Sequence, residues 1–228
     1  MKYLSRSKIS HKEIVNKNAK KVYIFCEGEK TEIKYLEFFK GLSSNIDIIP
    51  IPPINGQTDP IKLKEFAELL FFGDDLNSPK FSLSSEFKDE VWFAIDTDRW
   101  NENNKIQQLK DFCIEKNISE DCWFVAQSNP SFEIWLYYHF NSTKPINQDI
   151  AKFSSFKHFV HKSTNNGNGF DPDKHPIEIE TAIVNSENNF QKFNNQPDLY
   201  STEFFILGKI IVSFVESQLI KLKKMIKM

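Results

Sequence analysis

Four short runs rich in β-branched and aromatic residues, each followed by a polar break and a helix-like stretch, constrain the fold of this chain more than any other feature. Lys21 to Cys26 (KVYIFC), Glu90 to Ile95 (EVWFAI) and Cys122 to Ala126 (CWFVA) are nearly continuous apolar runs, the pattern of strands buried on both faces, and Ile46 to Ile51 reads as a fourth strand. After the first run, Thr31 is placed to cap a helix whose apolar residues Ile33, Leu36, Phe39 and Leu42 recur every third position, with Gly41 near its exit. Pro52-Pro53 and Asn55-Gly56 break the second run before a helix from Pro60 to Phe72, and Asn103 to Lys116 predicts another. Asn129-Pro130 opens a further helix, FEIWLYYHF, with the proline at the first helical position, where its missing N–H is tolerated. Strands alternating with helices predict an α/β fold with a doubly wound, mainly parallel four-stranded sheet flanked by helices.

Beyond Phe140 the character changes. The polar connectors NSTKPINQD and STNNGNGFDPDKHP separate helical stretches near 150–162, 177–190 and 202–227, which predicts a C-terminal helical addition. The expected division is therefore a basic arm over 1–19, an α/β domain over 20–140 and a helical extension over 141–228, with Asn165 to Gly169 as the segment expected to be locally mobile. At 228 residues the chain can bury about 70% of its unfolded surface, so folding requires neither disulfide nor structural metal. Cys26, Cys113 and Cys122 form no C-x-x-C pair and are expected as ordinary core thiols in a reducing compartment. No apolar run approaches the length of a membrane helix, and the charged start MKYLSRSKISHKEI is not a signal peptide, so no membrane partner and a cytoplasmic location are expected. The net charge of −2 hides an asymmetry of +6 over residues 1–21, +4 over 208–228 and −12 between them. Basic ends around an acidic centre suit either nucleic-acid steering or plain solvation of the termini.

In an open α/β sheet, ligands bind outside the carboxyl ends of the strands. That rule selects Glu27 after the first strand, Asp96 and Asp98 (IDTDRW) after the third, and Ser128 and Asn129 after the fourth, with Glu133 one helical turn further on. Carboxylates with no histidine or cysteine among them are a hard-oxygen donor set, suited to Mg²⁺, with Mn²⁺ as the alternative, and not to zinc. The D-x-D spacing by itself is uninformative: about one such pair is expected by chance, and Asp171-Pro-Asp173 is a second instance. Its position carries the weight, because two charges directly after WFAI are costly to bury and belong at a solvated edge. Gly28, beside Glu27, leaves backbone room for a phosphate or metal.

The strand ending in CEGEKTE (Cys26 to Glu32), the later AIDTDRW (Ala94 to Trp100) and SNPSFEIWLYYHF (Ser128 to Phe140) together resemble the RloB-like family, whose members carry a Toprim domain. The three motifs occur in order over residues 20–140. The resemblance implies a Toprim-like fold in which Glu27 matches the Toprim glutamate and Asp96 and Asp98 match its metal-binding pair. It also implies a setting in bacterial restriction and abortive-infection loci, a phage-defence role, and an AAA-type ATPase as partner. One departure is that Arg99 and Trp100 stand where many Toprim proteins have a further acidic residue, so a two-ion site would need Glu29 or Glu133.

The activity implied is Mg²⁺-dependent phosphodiester cleavage of RNA, tRNA among the candidates, or of DNA. Asp96 and Asp98 hold the ion, and Glu27 is either another ligand or the general base. Lys30 and Arg99 are candidates to brace phosphate charge, against plainer roles as a solvated first-turn residue and as an ion-pair partner of Asp96 or Asp98. Glu133 faces either the metal or solvent, and Ser128 and Asn129 either cap the following helix or touch substrate. The alternative is a non-catalytic module that binds metal, nucleotide or nucleic acid through the same carboxylates and signals to the ATPase. Assembly into a homo-oligomer is left open. His158 and His161 lack a third ligand, His175 sits in a polar loop where it is a weak candidate to close over substrate, and the Phe-Phe pairs are expected mainly in the core.

Overall fold

The period-two alternation of the first strand decides the layering. A computed structural model describes residues 12–97, 104–118 and 120–227. In it β1 (Lys20–Cys26) sends Val22, Ile24 and Cys26 into one apolar cluster and Tyr23 and Phe25 into another, all nearly without solvent contact. A helical layer covers each face of the sheet as a result. α1 (Thr31–Glu37), β2 (Ile46–Ile51), α2 (Pro60–Phe72), β3 (Glu90–Asp96), α3 (Lys105–Lys116) and β4 (Trp123–Asn129) follow in order. α2 and α3 pack with Tyr23, Phe25, Val91, Phe93 and Ile95, while α1 lies with Val22, Ile24, Trp92 and Ala94 on the other side.

The rest of the chain is α4 (Glu133–Tyr138), α5 (Asn147–Ile150), α6 (Phe156–Ser163), α7 (Ile179–Asn188), three two-residue strands β5 (Lys192–Phe193), β6 (Gln196–Pro197) and β7 (Ser201–Thr202), and α8 (Phe204–Lys227). The main sheet runs β2-β1-β3-β4-β7, with the first four strands parallel and β7 antiparallel to β4. It therefore has five strands, one more than expected from the sequence, because two residues are too few to show an alternation and β7 exists only through its pairing with Ser128 and Asn129. Pairing with β3 carries β4 on through Gln127 and Ser128, and pairing with β7 adds Asn129, three residues past Ala126. Pro130 consequently follows the strand through a cis peptide bond and does not open the helix, which starts at Glu133. Thr31 likewise is the first helical residue and not the cap; the cap position belongs to Lys30, with no side-chain bond.

The C-terminal helices do not build a core of their own. Phe204, Leu207, Ile211, Val215, Leu219 and Leu222, spaced by three and four along α8, join Trp135 and Tyr138 of α4 and Ile179, Ala182 and Ile183 of α7 in the same cluster as α1 and one face of the sheet. Phe204 touches Tyr35, Phe132 and Trp135 at ring-centroid distances of 5.9, 5.0 and 5.2 Å. His175 is buried here, wedged between Phe140 and Phe170 with Nδ1 accepting from the Asp171 N–H, so it is a packing residue and not a loop side chain free to close over a ligand. The ring of His161 fills the space a side chain on Gly169 would need. Phe72 is the exception among the paired phenylalanines: it is half exposed, stacked on Trp123 and covered by the Lys116 ammonium. Among the described residues no helix is long and apolar enough to cross a membrane.

Because α8 shares its core with the sheet, Phe204→Ala is expected to lower the stability of the whole molecule by about 3–5 kcal/mol in one cooperative denaturant transition. A separate early transition confined to the C-terminal helices would contradict the shared core.

Candidate functional site

Sheet order fixes where the site lies. From β1 the chain leaves toward β2 on one side, and the strand on the other side of β1 is β3, so the topological switch point falls between the carboxyl ends of β1 and β3. Loops that leave in opposite directions open a crevice there. Glu27 and Asp96 are the residues at its two lips. The backbone ladder between the strands ends at Cys26 opposite Ala94, with the Glu27 N–H donating to the Ala94 carbonyl at 3.0 Å. One step further the Asp96 N–H finds no strand carbonyl and donates instead to Glu27 Oε2 at 2.8 Å. The Glu27 side chain thus continues the sheet's hydrogen bonding past its backbone, which holds the carboxylate against the third strand.

Asp96 is fixed from the other direction. Its Oδ1 accepts the Phe132 N–H at 2.8 Å, tying the end of β3 to the start of α4 and drawing Glu133 to the same rim. Glu133 accepts from the Ser131 hydroxyl through Oε2 at 2.7 Å and pairs through Oε1 with Lys157 Nζ at 3.1 Å. Lys157 comes from α6, whose Phe159 stacks on Tyr137 of α4 and sets the two helices side by side. The resulting cleft has a volume of about 490 Å³ and is lined by Glu27, Gly28, Lys30, Asp96 and Glu133 of the residues expected from the sequence, together with Glu29, Glu32, Thr58 and Lys157.

Glu32 and Lys157 are the charged residues of the cleft that the sequence did not single out. Glu32 is 5% exposed, and its side chain folds back from the first turn of α1 so that Oε1 accepts the Gly28 N–H at 3.1 Å. A Cβ on Gly28 would stand 2.0 Å from Glu32 Oε2. The room that Gly28 provides is thus taken by a carboxylate of the protein itself. A signal for Glu32 exists in the sequence, since an acidic residue in a first helical turn favours looping back to unpaired amides. No such signal exists for Lys157, which is 125 positions away from Glu32 and reaches the cleft only through helix packing.

Ser128 and Asn129 lie elsewhere. Ser128 is buried with its hydroxyl 2.7 Å from that of Thr202, and Asn129 donates to the Pro197 carbonyl at 2.9 Å; both hold the edge strands, and neither caps α4. Asp98 and Arg99 lie outside the described residues.

The electrostatics of the cleft follow from this crowding. Five carboxylates, Glu27, Glu29, Glu32, Asp96 and Glu133, face two ammonium groups, Lys30 and Lys157. Burial, and then the charges of Glu27, Glu32 and Glu133, raise the Asp96 carboxyl well above its usual range, against the Phe132 N–H that favours its ionised form. Burial raises Glu32 as well, with Glu133 adding to it. A donor set of hard oxygens with surplus negative charge fits a divalent cation of the Mg²⁺ type in its chemistry. Among the described residues, however, no three His, Cys, Asp or Glu side chains are already gathered as the ligands of one ion.

A family model described as RloB-like protein matches residues 22–208. The chain belongs to the RloB-like family. The match runs past residue 140 and takes in α6, α7 and the start of α8, so it includes Lys157 as well as the strand-end carboxylates. No curated protein and no solved structure matches the chain.

An acid raised in the folded state binds protons that the unfolded chain releases, so its contribution to stability is complete below about pH 4 and is lost as pH rises toward the folded value. Asp96→Asn keeps an acceptor for the Phe132 N–H and removes that loss. Its melting temperature is expected to match that of the wild type near pH 4 and to exceed it by several degrees at pH 8, read by calorimetry without added metal. An equal or lower value at pH 8 would show that burial and the neighbouring carboxylates together do not raise Asp96.

Proposed function

We propose that this protein is a Mg²⁺-dependent nuclease with a Toprim-like site, acting on RNA or DNA as the effector of a bacterial anti-phage defence system. The observation that carries the reading is the Glu27 carboxylate held on the Asp96 amide at the switch point of the sheet, inside a cleft of surplus negative charge. Family membership supports it, and Glu27, Asp96 and Glu133, one carboxylate from each of the three motifs, line the same cleft.

Asp96 and Glu27, with Asp98, would hold the ion, and Glu133 and Glu32 are further carboxylates of the cleft. When bound, a Mg²⁺ ion neutralises the scissile phosphate and acidifies a coordinated water. The chain's own contribution is positioning. The Asp96 N–H fixes Glu27, and the Phe132 N–H fixes Asp96, so both carboxylates are set before substrate arrives. Lys30 at the cap of α1 and Lys157 on α6 offer positive charge to the phosphodiester.

The second reading, a non-catalytic metal- or nucleic-acid-binding module that partners an AAA-type ATPase, draws on the absence of a gathered three-ligand cluster among the described residues. Incubating the purified protein with labelled RNA and DNA, with and without Mg²⁺ and with and without any AAA-type ATPase encoded alongside, separates the two. Cleavage that requires Mg²⁺ and falls at least about 100-fold in Glu27→Gln and Asp96→Asn is the expected result. Binding without cleavage, with the ATPase present, would favour the second reading.

A further inference from the structure

The ion pair between Lys157 and Glu133 is asymmetric. The Glu133 side chain is 14% exposed and its second oxygen is held by Ser131, whereas the Lys157 side chain is 72% exposed. One partner is anchored and the other is a long, solvated arm that can move away. Lys157 also stands in the field of the whole cluster, since Glu133 first, then Glu32 and Asp96, all raise its ammonium. In a cleft of five carboxylates it supplies part of the positive charge that a divalent cation would bring. Its position comes from buried contacts behind it. Ser155 caps α6 by accepting the His158 N–H at 3.1 Å, and Phe159 and Val160 of the same helix are buried.

We propose that Lys157 is the resident counter-cation of the carboxylate cleft, leaving Glu133 when a divalent cation binds and turning to the phosphate of the bound nucleic acid. The inference rests on the metal-site reading above and deepens it. Glu133 is on this account a positioning residue that parks Lys157. Two like charges cannot share the cluster without repulsion, so Lys157 opposes the metal; once released, it lies at the rim where a metal-bound phosphate arrives.

The two halves predict opposite signs for one substitution. In Lys157→Met, Mn²⁺ binding followed by calorimetry is expected to tighten about threefold, the size of a partly exposed ion pair. In the same variant, binding of a fluorescein-labelled single-stranded RNA oligonucleotide in Ca²⁺, followed by anisotropy, is expected to weaken about threefold and to recover in Lys157→Arg. Lys162→Met, on another side of the same helix, controls for loss of one charge from the surface and is expected to leave both affinities within experimental error. Unchanged or weaker Mn²⁺ binding in Lys157→Met overturns the counter-cation role, and unchanged oligonucleotide binding overturns the phosphate role. Absence of Mn²⁺ binding in both proteins overturns the proposal together with the metal-site reading. Neither measurement needs turnover, so a wild type that binds Mn²⁺ but never cleaves, with the opposite shifts intact, defeats the nuclease reading and leaves this one standing.

Discussion

A single hydrogen bond, from the Asp96 N–H to the Glu27 carboxylate, joins the architecture of this protein to its chemistry. It forms where two parallel strands run out of backbone partners, at the point where their connections diverge. A carboxylate used in this way is held by the sheet itself, and the sheet is among the most buried parts of the molecule: Ile24, Phe25, Cys26 and Phe93 are without solvent contact. The position of the site is therefore as firm as the core beneath it.

That firmness comes at an electrostatic cost. Burial at this rim, and then the neighbouring carboxylates, raise Asp96 well above the ordinary carboxylate range and raise Glu32 as well. Among the described residues nearly every other buried side-chain polar atom has a hydrogen-bond partner, so this repulsion stands out against the rest of the fold, and it supports the positive ligand proposed for the cleft. Lys157 relieves part of the repulsion, and it comes from the segment that a division at residue 140 would have set apart. The shared cluster that unites α8, α7, α4 and α1 gives the same lesson in packing: the helical extension belongs to the body that forms the cleft.

Legibility of the fold followed the length of each element. Ile46 to Ile51 and Pro60 to Phe72 are seen at the boundaries the sequence predicts, since six or thirteen residues with a consistent pattern leave little freedom. β7 was invisible because two residues carry no period, and α4 was expected from Pro130 although it starts at Glu133, because the strand before it continues to Asn129. At the site, Glu27, Asp96 and Glu133 were legible from their places after strands and in motifs. Ser128 looked like a residue past the strand because polar Gln127 and Ser128 end the apolar run, whereas the ladder continues, with Asp96 opposite Ser128 on one side and Thr202 on the other.

The sequence by itself determined the alternating α/β order, the strands that are buried on both faces and the acidic character of their carboxyl ends, because these depend on local periodicity and on the cost of burying charge. Only the tertiary structure decided that Glu32 fills the space over Gly28, that the C-terminal helices complete the core, and that Lys157 reaches Glu133. Those depend on which surfaces meet when the chain closes, and contacts between residues far apart in sequence leave no period to read.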